Sequence, residues 1–372
     1  MQFLQIVLNL WLICFLIACG GGGGGSGTRL SSVPIAPQGS SYLNFKNLNL
    51  SPQSIPEGVA GNGTTARAYG DFSRSGNIDL ITATLTYKPS LPIGSATPSA
   101  LRYWKAMSNG TYVEDSSKLS SSAGCIHPRK ALVADFNSDG TPDVFLTCHG
   151  YDAGNYPGEK NKIILSQANG IFLVADASSD IDFWHGATAL DVNSDGAIDV
   201  IAVTGGNNIK TFINDRSGHF SIEKAGRFPT FKNGGYYSIE AADIDDNGLK
   251  DILIGGHEAD GAITSILINP GAYNFGTVAP NSLPSVAGQG VVLDFVVTGG
   301  GANALIWILR TGDGNNFYVG KSIQKVTYQT KATATVLQDN TGTWVPWIIP
   351  TLISGAGYIS SDISAHNFKV GY

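Results

Sequence analysis

The sequence predicts an all-β fold assembled from repeated four-stranded units, and three observations predict it. A nine-residue loop, Asp-x-Asx-x-Asx-Gly-x-x-Asp, recurs at Asp135–Asp143, Asp191–Asp199 and Asp243–Asp251. Each copy runs straight into an apolar, β-branched stretch: Val144-Phe145-Leu146, Val200-Ile201-Ala202-Val203 and Ile252-Leu253-Ile254. Such stretches read as strands. The first aspartates Asp71, Asp135, Asp191 and Asp243 follow one another at intervals of 64, 56 and 52 residues, so each repeat has room for four short strands. Composition agrees: 47 glycines among 372 residues supply turns, and only 14% of residues are charged.

Residues 1–18 are mostly apolar, carry no charged side chain and end Leu16-Ile17-Ala18 before Cys19. A short apolar segment followed by small residues is a secretory signal rather than a membrane span. The Leu-Ile-Ala-Cys ending resembles the bacterial lipobox. That resemblance implies lipidation of Cys19, and glycine rather than aspartate at position 20 implies the outer membrane of a bacterial envelope. The segment departs from the pattern in having no Lys or Arg near Met1. Gly20–Gly25, Ser26, Gly27 and the stretch to Ser41 with Pro34 and Pro37 cannot form a core and read as a tether. The expected organisation is a signal over 1–18, a tether over 19–40 and one large β domain over 41–372.

Within the domain, the loop copy at Asp71, Ser73, Ser75, Asn77 and Asp79 keeps the frame but has serine at two ligand positions. A degenerate fifth copy is read at Asp294, 51 residues after Asp243. In the third repeat, strands are expected near 187–190, 199–204, 209–213 and 219–222, with glycine-rich turns between the later ones. After Gln324, strand-like segments at Ala332–Val336, Trp344–Ile349 and Phe368–Val370 allow a sixth unit. No sustained helical periodicity follows the signal.

The loop pattern suits a hard cation. Side chains at positions 1, 3 and 5 and the carboxylate at 9 offer oxygens, the backbone carbonyl at 7 adds one, and glycine at 6 permits the sharp turn. The donor sets are Asp135, Asn137, Asp139, Thr141 and Asp143; Asp191, Asn193, Asp195, Ala197 and Asp199; and Asp243, Asp245, Asn247, Leu249 and Asp251. Calcium is the expected ion, at three sites and a weaker fourth over 71–79, where Arg74 adds positive charge. An EF-hand is excluded, because position 12 is Leu146, Ala202 or Ile254 and strands flank the loop. The bland alternative is an Asp/Asn-rich hairpin turn without an ion.

This loop between strands resembles the FG-GAP or VCBS repeat known from integrin α-chains and bacterial surface proteins. The resemblance covers most of the chain after residue 60. It implies a β-propeller in which each repeat is one four-stranded blade, with calcium between its first two strands. Six or seven blades are expected, with residues 42–50 joining the last blade to close the ring and remove exposed edges. The family contains adhesins, ligand binders and some enzymes, so the fold leaves the function open.

Of four cysteines, Cys14 leaves with the signal and Cys19 is the lipid site; Cys125 and Cys148 remain. An even pair in an exported protein reads as a disulfide. The alternative is a soft-metal site with His127 and His149.

The net charge of −6 argues against nucleic acid as a partner. If the Asp loops share one face, the opposite face is built from the loops between second and third strands and from the connections between repeats. Those segments carry His149, Tyr151, Asp152, Glu159, Trp184, His185, Tyr237, His257 and Glu258. Aromatic faces with polar neighbours suit a glycan or a protein ligand. Asp152, Glu159 and Glu258 are candidates for an acid/base pair. There is no nucleophile elbow, no His-Glu-x-x-His and no phosphate loop. The first expectation is therefore a calcium-stabilised, membrane-anchored monomer that recognises a glycan or a protein. The second is a polysaccharide lyase or hydrolase, which requires His149, His185, Tyr237 and His257 to converge.

Overall fold

The computed structural model describes residues 33–34, 49–50, 64–85, 92–109, 111–205, 208–223, 226–231, 234–353, 356–361 and 368–371. The signal segment, Cys19 and nearly all of the tether lie outside these residues. So does most of 42–50.

Two short strands, β1 (Val33–Pro34) and β2 (Asn49–Leu50), pair with each other. Antiparallel four-stranded sheets follow. The first holds β3 (Thr64–Gly70), β4 (Asp79–Thr84), β5 (Ala100–Ala106) and β6 (Tyr112–Glu114). The second holds β7 (Pro128–Ala134), β8 (Asp143–Cys148), β9 (Lys162–Ser166) and β10 (Phe172–Asp176). The third holds β11 (Trp184–Leu190), β12 (Asp199–Thr204), β13 (Ile209–Asn214) and β14 (Phe220–Ile222), close to the strands expected from the sequence. Next come β15 (Gly235–Ala242), β16 (Asp251–His257), β17 (Ser265–Leu267) and β18 (Asn281–Ser282). They are joined through one His257–Val291 bridge to β19 (Val291–Thr298), β20 (Leu305–Thr311), β21 (Val319–Thr327) and β22 (Thr333–Thr343). The last sheet is β23 (Ile348–Ile353), β24 (Ala356–Ser361) and β25 (Lys369–Gly371). Only short 3-10 turns interrupt the described strands.

The first strands β3, β7, β11, β15, β19 and β23 stand side by side in that order around an axis. The molecule is a β-propeller. Its core is a series of layers between neighbouring sheets, which explains the unbroken apolar runs. Val144 and Leu146 face the first sheet, while Phe145 between them faces the third. Val200 and Ala202 face the second sheet, whereas Ile201 and Val203 face the fourth. With both faces covered, both parities of a strand must be apolar.

Two sequence expectations are corrected here. Thr333–Val336 belongs to β22, the outer strand of the fifth sheet, because it pairs with β21 in a long antiparallel hairpin. Asp294 opens no loop; it lies inside β19, where burial on the axis gives it a different task. Lys130 Nζ donates to Glu240 Oε2 at 2.9 Å and to Asp294 Oδ1 at 3.1 Å. Thr188 Oγ1 donates to Glu240 Oε1 (2.9 Å), and the Ile348 N–H donates to Asp294 Oδ2 (3.0 Å). Residues of β7, β11, β15, β19 and β23 thus meet in one buried polar network. At the ring junction it is β1 that lies against β23, with β2 on β1 rather than on the last sheet.

Candidate functional site at the axis

The four Asp loops share one conformation. Position 4 is left-handed in each (Arg74, Ser138, Ser194, Asp246), as is the glycine at 6 (Gly76, Gly140, Gly196, Gly248). The position-1 carboxylate takes the N–H groups of positions 5 and 6, for example Asp139 N (3.0 Å) and Gly140 N (2.7 Å) onto Asp135. Asp71, Asp191 and Asp243 repeat this.

Position 9 has a second role that the spacing did not suggest. Asp143 accepts Phe136 N (2.9 Å) with one oxygen and Ser166 N (2.8 Å) with the other. Asp79, Asp199 and Asp251 likewise tie the loop to the end of the third strand, at Ala106, Asn214 and Asn269. These fully buried carboxylates staple each sheet. Burial pushes Asp143 up to about 7, and Asp199 and Asp251 up to about 6. In the 243–251 loop, carboxylate oxygens of Asp243, Asp245 and Asp251 lie within 4.8 Å of one another, a spacing that suits a hard cation. In the 71–79 loop, Arg74 leaves its own turn. It donates to Thr141 Oγ1 and, from Nη2, to the Asp139 carbonyl (3.1 Å) of the neighbouring loop.

The other end of the same strands carries the titratable cluster. The first strands β7, β11 and β15 each have a bulge there: between Pro128 and Ala131, Trp184 and Ala187, and Tyr236 and Ser238. A bulge inserts one residue and re-aims a side chain. The residues within these bulges include Arg129, His185 and Tyr237, each six positions before a loop's first aspartate. Gly186 beside His185 is required by close approach, since a Cβ there would lie 2.6 Å from the Tyr237 carbonyl oxygen. The ends of the second strands add His149 and His257, each 14 residues after a first aspartate.

These side chains form one continuous line. His149 Nε2 and His185 Nε2 are 2.7 Å apart. The rings of His185 and Tyr237 are 4.3 Å apart between centroids, and those of Tyr237 and His257 are 4.4 Å apart. His257 Nε2 lies 3.2 Å from Tyr318 Oη, and its Nδ1 3.3 Å from Asp260. His127 packs on His149 at 4.8 Å. Burial, reinforced by Arg129, holds His127 and His185 far below the usual histidine range. His149 is held down by burial and then by His185. These imidazoles are neutral at neutral pH. Asp152 is pushed up to about 6 by burial, against the pull of Arg129, and Tyr237 is pushed up to about 12 by burial. Arg129 Nε, His149 Nδ1 and His185 Nδ1 are buried with no hydrogen-bond partner among the described residues.

The remaining sequence candidates are placed differently. Glu159 accepts Ile126 N (2.9 Å), His127 N (3.0 Å) and Gly150 N (3.0 Å), so it shapes the loop beneath the cluster. Glu258 pairs with the buried Arg310 at 3.0 Å. Neither is available as half of a carboxylate pair with Asp152. Trp184 is fully buried, with its Nε1 donating to the Glu159 carbonyl (3.1 Å), and Tyr151 is buried too. Cys125 and Cys148 form a disulfide, with Cα atoms 5.4 Å apart, so they supply no thiolates to a metal. Arg129 and Phe183, which lie in the connections between repeats but were not among the candidate ligand residues, join the cluster, as does Tyr318, which the sequence did not point to. For Arg129 the signal was there, in the six-residue offset it shares with His185 and Tyr237. A cavity of about 170 Å³ beside the start of β19 is lined by Gln289, Asn316, Gln338 and Asn340. It has no titratable lining group, in contrast to the axial cluster.

Comparison with known proteins fits the repeat pattern. The FG-GAP-like repeat family matches residues 135–202 and 191–254. The chain is similar in structure to a periplasmic gluconolactonase of Pseudomonas aeruginosa. The TM-score is 0.51 at 11% identity, over 92% of this chain and 94% of that one. It is also similar to a candidate 6-phosphogluconolactonase of Bacteroides fragilis, with a TM-score of 0.50 at 10% identity over 94% and 95% of the two chains. At such identities the likeness concerns the fold alone. No curated protein matches the sequence. Residues 135–254 are FG-GAP-like repeats, set within a β-propeller fold.

Proposed function

We propose that this six-bladed, calcium-loaded propeller binds an acidic saccharide at the axis, on the face opposite the Asp loops, and acts on it by acid–base chemistry of the lyase type. The observation that carries the reading is the unbroken line His149–His185–Tyr237–His257, within ring contact throughout. Burying polar rings without full hydrogen bonding costs stability, and such clusters of perturbed groups are concentrated at functional sites.

The residues divide the work. Arg129, with an unpartnered Nε, takes the uronate carboxylate and stabilises the charge that develops when the adjacent C–H is deprotonated. His185, kept neutral, is the base that removes that proton, through the Nε2 lone pair that faces His149 and turns to the substrate when it binds. Tyr237, whose phenol stays protonated at neutral pH, donates to the departing glycosidic oxygen. The electron pair of the broken C–H bond becomes the new double bond, and the pair of the breaking C–O bond leaves on oxygen. Two-carboxylate hydrolysis is disfavoured, because Glu159 and Glu258 are held by other groups. Calcium in the loops pins each hairpin at the far end. Export and lipid attachment at Cys19 belong to the same proposal and rest on the sequence alone.

The test is incubation of the calcium-loaded chain with a panel of uronate polymers, read by the ultraviolet absorbance of an unsaturated uronate. Native protein should generate that product, and His185→Gln and Tyr237→Phe should lose it while still binding polymer. Binding with no product would reduce the site to recognition. Neither binding nor product would overturn the reading.

A further inference from the structure

We propose that His127, His149 and Asp152 form a binding site for one divalent transition-metal ion at the edge of the axial cluster. One ring nitrogen of each histidine and one Asp152 oxygen lie within 4.8 Å of one another. Ligand atoms around a tetrahedral zinc sit about 3.4 Å apart, given metal–nitrogen bonds near 2.05 Å, so small side-chain movements close the set.

The chemistry of the donors fits an ion of this class. Two imidazoles and one carboxylate suit Zn2+, Mn2+, Fe2+ or Ni2+, and suit Ca2+ poorly, because calcium prefers oxygen throughout. Both histidines are buried, with exposures of 5% for His127 and 2% for His149, which excludes competing water. His149 also has the outer-shell arrangement of a metal ligand. Its Nε2 faces His185 Nε2 at 2.7 Å, while its Nδ1 is buried and has no hydrogen-bond partner. With Nε2–H donating to His185, the Nδ1 lone pair is left for the ion, and the hydrogen bond fixes tautomer and ring orientation. Three protein ligands leave a fourth position open, beside Arg129. The ion differs from the hard cations of the Asp loops in class and lies at the opposite end of the strands. It does not depend on the acid–base reading: a metal-stripped chain that still turns over uronate would bear on that reading only.

The experiment is a titration of the calcium-loaded, chelator-washed chain with Co2+ alone, followed by visible absorption. One Co2+ per chain is expected, with the spectrum of a low-coordinate nitrogen and oxygen site. His127→Ala and Asp152→Asn should each weaken binding by more than about a hundredfold, since even outer-shell partners cost 10–100-fold. His219→Ala removes an exposed histidine and should change nothing; its side chain is 80% exposed. If a variant fails to fold, paramagnetic shifts of the His127 and His149 ring protons in the native chain give the answer directly. The assignment is overturned if the native chain takes up no Co2+. It is overturned equally if uptake survives His127→Ala or is abolished instead by Asp243→Asn.

Discussion

Lys130 and Asp294 are separated by 164 positions in the chain, yet their charged groups meet at 3.1 Å on the propeller axis. Glu240 takes the same ammonium at 2.9 Å. All three side chains are nearly inaccessible to water. Removing one partner of a buried ion network leaves uncompensated charge, which typically costs about 3–5 kcal/mol. Lys130→Met should therefore lower stability by about that much, measured by urea unfolding. A Lys130→Met/Glu240→Gln/Asp294→Asn triple variant, with no charge left to bury, should recover much of the loss. A single variant as stable as the native chain would show that the network is energetically idle.

The same network sets a pH dependence. Burial, partly countered by Lys130, pushes Asp294 up to about 6 from the usual carboxylate value of 3.8. The folded state therefore holds this proton more tightly than the unfolded chain. The stabilising contribution is full below the unfolded value and is lost as pH rises through about 6. Asp294→Asn, neutral at every pH, should gain on the native protein in urea midpoints as pH rises from about 4 to about 6, and hold that gain above. Parallel curves would refute the assignment.

Calcium removal should lower the melting temperature, and Asp139→Ala, Asp195→Ala and Asn247→Ala, one at a time, should apportion the loss among the loops. Arg74 makes a sharper case. It is 54% exposed, so its pair with Asp139, itself 30% exposed, is worth less than about 1 kcal/mol to folding. Its charge nevertheless sits on a donor of the 135–143 loop. Arg74→Gln should leave the calcium-free melting temperature nearly unchanged and raise calcium affinity at that loop several-fold, read by calorimetric titration.

Gly186→Ala places a methyl group 2.6 Å from the Tyr237 carbonyl, and backbone cannot swing aside as a flexible side chain does. A loss of about 1–3 kcal/mol is expected. The larger effect should be on the axial cluster, where the 4.3 Å stacking of His185 on Tyr237 depends on this approach. Uronate turnover should fall much more than stability does.

The Cys125–Cys148 bridge closes a loop with a sequence separation of 23 residues. Constraint of the unfolded chain over that length is worth about 3 kcal/mol. Reduction, or a Cys125→Ser/Cys148→Ser variant, should cost about that in urea unfolding. It should also loosen the segment that holds Glu159 under His127.

The sequence by itself determined the repeat, the strand order within each sheet and the shape of the Asp loops. Those features are local: nine residues with glycine at the sixth position and strands on either side dictate a hairpin. The apolar parity of Val144, Phe145 and Leu146 follows from burial on both sheet faces. The sequence also offered the six-residue offset of His185 and Tyr237, and the same offset marked Arg129. Only the tertiary structure decided what those offsets mean. Bulges in separate repeats turn Arg129, His185 and Tyr237 toward the axis, and that juxtaposition depends on how neighbouring sheets pack. The role of Asp294 was hidden for the same reason. Its nearest charged partner is 164 residues away, and no local pattern encodes a contact made by closing a ring. Glu159 and Glu258 looked like chemistry in the sequence because acidity is visible there. Their hydrogen-bond partners, which commit them to structure, become visible only once the chain is folded.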